Sequence, residues 1–367
     1  MKITKVEAIP VRVPLARPNS TATGVITETR KVIVKIITDS GIAGFGEASS
    51  VPEYGGGTAD SIMDAITAYR PYLIGADPSE MSVIAGRLAE TAVDDQLARA
   101  AVDVALYDIV ARNLDQPIHV LFGDQVRDSV EVFLIIAGDG PEEVADNARQ
   151  AVADGYRVVK VKAGFEPITA TIAKIDAIRA AVGFGLDITV DANQAWQVDE
   201  AIANINQMAP FDLQSVEQPV AARDIKGMAA VTSTVDVPII ADESVWDIDD
   251  ARHVIENRGA DVLSVRVGKA GGLSAARSIL DAAHGAGMPC ILGSMLETDL
   301  GITAALQMAA SVECALHACA LSHYAMYDAS FLEQPLRQDG GTLYVPTGPG
   351  LGVTVSEQRI DQFRESP

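Results

Sequence analysis

Lys160 and Lys162 close the run Arg157-Val158-Val159-Lys160-Val161-Lys162. Side chains two apart on a strand leave on the same side, so both ammonium groups enter one space. Two lysines sharing a buried face are costly unless anions wait there. Three carboxylates, Asp191, Glu217 and Asp242, follow Lys162 at near-regular intervals, and Arg266 continues the series at almost the same spacing. The three carboxylates are hard oxygen donors with no cysteine or histidine beside them, which favours Mg2+, with Mn2+ as its usual substitute. A cation holding a substrate carboxylate would stabilise the enediolate left when an α-proton departs. The base is then a neutral amine. Lys162 stands at the extreme end of its run and is the better candidate, because Lys160 and the metal are positive neighbours that lower an amine's pKa. Lys160 is also a candidate to bind the substrate carboxylate. Asn193 and Glu243, close behind two of the ligands, are candidates to orient them; ordinary capping or surface roles compete. The competing reading of the lysine pair is neutralisation of the three carboxylates alone.

Such residues must be brought together by strand ends. From Ser129 on, short β-rich runs (130–137, 158–161, 186–190, 213–216, 237–241, 262–265, 288–293 and 314–321) alternate with stretches of helical patterning. Eight strands with helical crossovers predict a parallel α/β barrel of the TIM type. Chemistry in such barrels sits at the C-terminal strand ends, and Lys162, Asp191, Glu217, Asp242 and Arg266 end strands two to six. Upstream, residues 3–15 alternate as a strand, 16–28 form a polar separator, and 29–38 and 42–48 are strands joined by the turn Asp39-Ser40-Gly41. Residues 59–113 are helical, with a helical period strongest over 97–111. An α+β domain over 1–125 thus precedes a barrel over 126–325.

Composition narrows the rest. A chain of 367 residues suits two domains, and 48% hydrophobic residues with a mean hydropathy of +0.18 allow a large core. The net charge of −22, from 28 basic and 50 acidic residues, argues against nucleic acid as a partner. It reads instead as a solvated acidic surface. No apolar run reaches the roughly 18 residues of a membrane span, and Met1-Lys2-Ile3-Thr4-Lys5 opens no signal peptide, so the expectation is a cytoplasmic protein. Cys290, Cys314 and Cys319 are odd in number and lack metal-site spacing, which predicts reduced, buried thiols.

The chain resembles the enolase superfamily, specifically its muconate lactonizing enzyme subgroup. The likeness is carried by Lys160-Val161-Lys162, Asp191-Ala192-Asn193-Gln194-Ala195-Trp196, Glu217-Gln218-Pro219, Asp242-Glu243-Ser244, Gly271-Gly272, Gly293-Ser294-Met295-Leu296-Glu297 and Pro349-Gly350-Leu351-Gly352, in that order. Sites of this superfamily use a Lys or His base with Mg2+. The resemblance implies a capping domain built from residues 1–125 and a C-terminal segment, 326–367, that returns to it. It also implies a small carboxylate substrate, chosen by loops near 16–28 and 48–58, and a homo-oligomer. Tyr54 is a candidate contact in the second loop, although an aromatic packed on the barrel rim reads equally well. Glu297 matches a position that can meet substrate or the strand-six cation. His323, just past strand eight, could line the pocket, while surface or packing roles suit His119, His253, His284 and His317. The mandelate racemase branch would place a histidine just after strand seven, where this chain has none. The Asp-x-Asp signature of dipeptide epimerases is missing from Leu321-Ser322-His323-Tyr324.

One departure changes the expected reaction. Most members of this subgroup end strand six with a lysine, and here the residue is Arg266. Lys269 matches a second, commonly basic position, and its odd spacing points it away from Arg266 if the strand continues. A guanidinium stays protonated and is a poor base, yet it grips carboxylates with a planar fork. Racemisation or epimerisation needs an acid/base on each face of the α-carbon. One-base chemistry fits better: a cycloisomerase of the muconate type, or a dehydratase of a hydroxylated acid. A racemase or epimerase of amino acids or N-acylamino acids is the alternative isomerase. A non-catalytic metal-binding barrel is the alternative outside enzymes.

Overall fold

The computed structural model describes residues 1–21, 24–52, 55–93, 95–138, 140–315 and 318–365. Its first unit is an antiparallel sheet, β1 (Ile3–Thr21), β2 (Gly24–Thr38) and β3 (Ala43–Ser49), covered by helices α1 (Ala59–Leu73), α2 (Met81–Ala89) and α3 (Gln96–Asn113). The expected separator at 16–28 is instead mostly paired backbone. After a register shift between Pro14 and Asn19, pairing resumes and runs to Thr21 opposite Gly24. Ladder bonds use main-chain groups, so a polar sequence does not by itself stop a hairpin. Val32, Val34 and Ile36 pack with Ile62, Ile66 and Ala101 in this unit's core. Gly46 lets helix and sheet touch, since a Cβ there would collide with the Ala101 carbonyl oxygen on α3.

Among the described residues, the second unit is a curled sheet of seven parallel strands in chain order. After β4 (Ser129–Glu131), the strands are β5 (Leu134–Ile136), β6 (Val158–Lys162), β7 (Asp187–Asp191), β8 (Ser215–Glu217), β9 (Ile239–Ala241), β10 (Val262–Arg266) and β11 (Cys290–Gly293). Helices α4 (Pro141–Ala153), α5 (Ile168–Val182), α6 (Val198–Met208), α7 (Ile225–Thr232), α8 (Ile248–Asn257), the short α9 (Val267–Ala270), α10 (Leu273–Gly285) and α11 (Asp299–Ala310) form the crossovers and their continuation. The crossovers turn apolar stripes inward; α4, for example, buries Val144, Ala145, Ala148 and Ala151. This is the TIM-type α/β architecture with a separate antiparallel cap.

Two strand expectations need correction. The first, 130–137, is divided: β4 pairs antiparallel with β13 (Thr342–Tyr344), itself paired with β12 (Gln338–Asp339), and only β5 enters the parallel sheet. The eighth, 314–321, is not a continuous strand among the described residues. Isolated parallel bridges tie Ala315 to Cys290, Ala320 to Gly293 and Cys319 to Val132. Those bridges tie the segment to β11 on one side and to the junction of β4 and β5 on the other. Downstream, helix α12 (Glu357–Gln362) leads the chain back onto β1, where Arg12 N–H donates to the Phe363 carbonyl at 2.9 Å and Glu365 N–H donates to that of Pro10 at 2.9 Å.

Among the described residues no helix is long and apolar enough to cross a membrane. The three cysteines are buried thiols, none of them in a disulfide among the described residues.

Candidate active site

Register brings the strand ends into one row. Lys162 lies beside Asp191, and Asp191 beside Glu217. Strand β9 stops at Ala241, so Asp242 is the first residue past it, and Arg266 ends β10 beside Gly293. Together with Lys160, Lys162, Asp191, Asp242 and Arg266 line an open cleft at the C-terminal end of the sheet. Glu217 is buried beneath them.

Every carboxylate in the row meets cations. Lys162 Nζ donates to Asp191 Oδ2 at 2.7 Å and to Asn193 Oδ1 at 2.8 Å. Lys160 Nζ donates to Glu217 Oε2 at 2.6 Å, with Asp191 Oδ2 at 3.5 Å. Arg266 Nη2 donates to Asp242 Oδ2 and lies 3.8 Å from Glu217 Oε1. Lys269 Nζ donates to Asp242 Oδ1 at 2.7 Å.

Burial alone raises a carboxyl pKa. At Asp191 it is outweighed by Lys162 and Lys160, and at Asp242 more strongly by Arg266 and Lys269; both lie below the ordinary value. At Glu217 burial wins, reinforced by Asp191 and Asp242 against the pull of Lys160, and the pKa is pushed up to about 7. Burial opposes the charge on Arg266, but Asp242 and Glu217 prevail and keep it protonated.

The remaining sequence candidates divide. Asn193 bridges Lys162 to Glu243, whose Oε1 accepts from Asn193 Nδ2 at 3.1 Å. Lys269 points into the cleft beside Arg266: the strand does not continue past Arg266, because α9 winds the chain there, so the condition for pointing away is not met. Glu297 is buried behind the wall of the cleft, its Oε2 accepting from Met295 N–H at 2.5 Å. His323 lines the cleft with Nδ1 2.7 Å from Ser294 Oγ. Burial and the charges of Arg266, Lys160 and Lys162 lower its pKa to about 3, so the imidazole is neutral. His119 packs against Gln307, while His253 and His284 are exposed. Tyr54 and His317 lie outside the described residues.

Two supporting residues escaped the sequence reading. Gln218, fully buried, accepts from the Asp242 and Ser244 amides at 2.9 and 3.1 Å and donates to Ser244 Oγ at 2.8 Å. It thereby fixes the end of β9 from the end of β8. A side-chain amide immediately after a candidate ligand was its only signal. Ser294 holds Arg266 Nη1 on its carbonyl at 3.0 Å as well as His323 on its hydroxyl; a serine in a loop carries no such signal.

Among the described residues no three His, Cys, Asp or Glu side chains converge as a formed metal cage. The carboxylates are instead paired with ammonium and guanidinium groups. The donor set nevertheless fits a hard divalent cation. Three carboxylates end adjacent strands, and Glu217 Oε1 is buried with no hydrogen-bond partner. Oxygen-only ligation is what Mg2+ takes.

Two family models match the chain: the mandelate racemase / muconate lactonizing enzyme N-terminal domain over residues 3–123, and the enolase C-terminal domain-like family over residues 143–359. It is similar to an L-Ala-D/L-Glu epimerase of Bacillus subtilis, 35% identical over 96% of this chain and 97% of the relative. Muconate cycloisomerase 1-2 of Acinetobacter lwoffii is 32% identical over 99% and 96% of the two chains. Among solved structures, a dipeptide epimerase from Enterococcus faecalis, complexed with Mg and the dipeptide L-Leu-L-Tyr, superposes with a TM-score of 0.91 at 30% identity, covering 96% of this chain and all of that one.

Proposed function

We propose, for a chain that belongs to the enolase superfamily and to its muconate lactonizing enzyme-like subgroup, that Lys162 removes the α-proton of a small carboxylate substrate from one face. The relatives are epimerases, racemases and cycloisomerases, and this chain is an enzyme of the same Mg-dependent superfamily. Asp191, Glu217 and Asp242 would hold the Mg2+. Bound there, the cation supplies electrostatic stabilisation of the charge that develops on the substrate carboxylate.

The chain's own residues do the rest. Lys162 faces the cleft and is oriented by Asp191 and Asn193; in its neutral form it takes the proton. Lys160, buried against Glu217, remains a fixed positive charge beside the substrate carboxylate. Arg266 is the observation that carries the reading. Held by Asp242 and by the Ser294 carbonyl, it is kept protonated and stands as a charge rather than a second base. One-base chemistry follows: cycloisomerisation of a dicarboxylate, or elimination of water from a hydroxylated acid, with Arg266 gripping the second polar group.

Lys269 supports a second reading. It is buried, faces the cleft and has its pKa lowered by burial, so it could serve the other face in an epimerase. Incubation with Mg2+ and a panel of carboxylic acids in D2O separates the two. Exchange confined to one face of the α-carbon, abolished by Lys162→Ala, supports the first. Exchange at both faces, with one face lost in Lys269→Met, selects the epimerase. No exchange with any acid rejects both.

A further inference from the structure

A strained residue and an unused buried charge meet at one carbonyl, away from the metal ligands. Lys31 lies in the middle of β2 and is completely buried. Its ammonium donates to the Leu296 carbonyl at 2.5 Å and lies 3.1 Å from both Ser49 Oγ and Tyr327 Oη, over whose ring it sits at 4.7 Å. Ser49 Oγ and Tyr327 Oη also donate to that carbonyl, at 3.1 and 2.7 Å. Leu296 itself has φ 62°. A leucine keeps that left-handed backbone only where its surroundings impose it. Three donors on one oxygen supply such an imposition.

The strain has a visible consequence. Leu296 and Met295 line the cleft. The same loop carries Ser294, which holds Arg266 and His323. Its far end is fixed by the cap as well. Glu47 on β3 accepts from Thr298 N–H, Thr298 Oγ1 and Gly301 N–H at 2.8, 2.6 and 2.9 Å, at the start of α11. Burial raises the pKa values of Glu47 and Glu297, and the Lys31 charge pulls against it at both. The loop after β11 is therefore gripped at two points by the N-terminal sheet and at one by Tyr327.

We infer that Lys31 is a positioning residue: from the N-terminal sheet it enforces the left-handed backbone at Leu296, and so couples the seating of that sheet to the shape of the substrate pocket. The inference rests on reading the cleft as that pocket, but its structural half does not need an identified substrate.

The test compares Lys31→Met, Leu296→Gly and the double variant in the full chain. Lys31→Met should release Leu296 to negative φ in a crystal structure. On the acid found by proton exchange, it should raise KM about ten-fold, with kcat changed less than about three-fold. Glycine accepts the left-handed backbone without strain. With leucine present, relief of that strain offsets part of the lost contacts, so adding Lys31→Met to Leu296→Gly should lower Tm by more than the drop seen with leucine present. Additive Tm losses, or an unchanged left-handed Leu296 with unchanged KM, overturn the inference. Should Lys31→Met fail to fold, Lys31→Gln withdraws the ammonium from the Leu296 carbonyl while leaving a polar end for Ser49 Oγ and Tyr327 Oη. An unmoved Leu296 φ there also overturns it. Absence of proton exchange with every acid would reject the proposed function, while the φ and Tm readings would still judge Lys31.

Discussion

Arg266 fits its place because of the glycine beside it. A Cβ on Gly293 would stand 2.9 Å from Arg266 Cγ and 3.2 Å from its Nε, so the arginine stem lies across a strand end that offers no side chain. Gly293→Ala should displace the guanidinium from Asp242 and Ser294 and lower kcat/KM by about ten-fold or more, a cost of about 1.4 kcal/mol. Steady-state kinetics checks this; unchanged kinetics would mean that Arg266 tolerates another path. Arg266→Met removes a charge that would face the developing enediolate, and the expected loss is about 100-fold in kcat. Full turnover in that variant would end the role given to Arg266. At this scale the sequence was informative. The types and spacing of Lys160, Lys162, Asp191, Glu217, Asp242 and Arg266 already implied a row of strand ends, because a βα unit has a near-constant length. The function of Gly293 was not legible, since its reason is a side chain on the neighbouring strand.

Elements carry their own electrostatics. Asp103 on α3 reaches the start of α10, accepting from Leu273 N–H at 2.6 Å, Ser274 N–H at 3.4 Å and Ser274 Oγ at 3.0 Å. With Glu47 at the start of α11, two acids of the N-terminal unit thus cap the helices that follow β10 and β11. Burial raises the Asp103 pKa to about 6, outweighing these bonds. A folded-state pKa above the unfolded one means that the protonated form is favoured by folding. The associated stability is full below about pH 4 and is lost as pH rises through about 6. Thermal melts should show wild type gaining on Asp103→Asn by about 1 kcal/mol between pH 7 and pH 4, a figure discounted because the residue keeps some contact with solvent. A pH-independent gap would contradict the assignment. Pairings between residues so distant in the chain leave no local pattern to read. The direction of Lys269 has a similar limit: alternation predicts it only while a strand lasts, and α9 begins immediately after Arg266.

For the whole molecule, the question is how far the fold depends on its metal. A domain whose ligands are otherwise unpaired unfolds when the ion is removed. Here Asp191, Glu217 and Asp242 are already matched by Lys160, Lys162, Arg266 and Lys269. The surrounding strands are seated on a continuous apolar core that includes Val159, Val161, Ile188, Val190, Val216 and Val265. Tail and cap are joined separately, by Glu365 with Arg30 at 2.6 Å and by main-chain bonds to β1. Chelation should therefore leave both units folded at 25 °C, with the far-ultraviolet circular dichroism unchanged. Mg2+ at about 100 times its Kd should then add about 2.7 kcal/mol by mass action, visible as a rise in Tm. Glu217→Gln removes a ligand charge while keeping its volume and should abolish most of that rise without unfolding the protein. A chelated protein that is unfolded at 25 °C would show that the internal cations do not compensate the carboxylates. A Glu217→Gln variant that keeps the full Mg2+ shift would move the metal away from the end of β8.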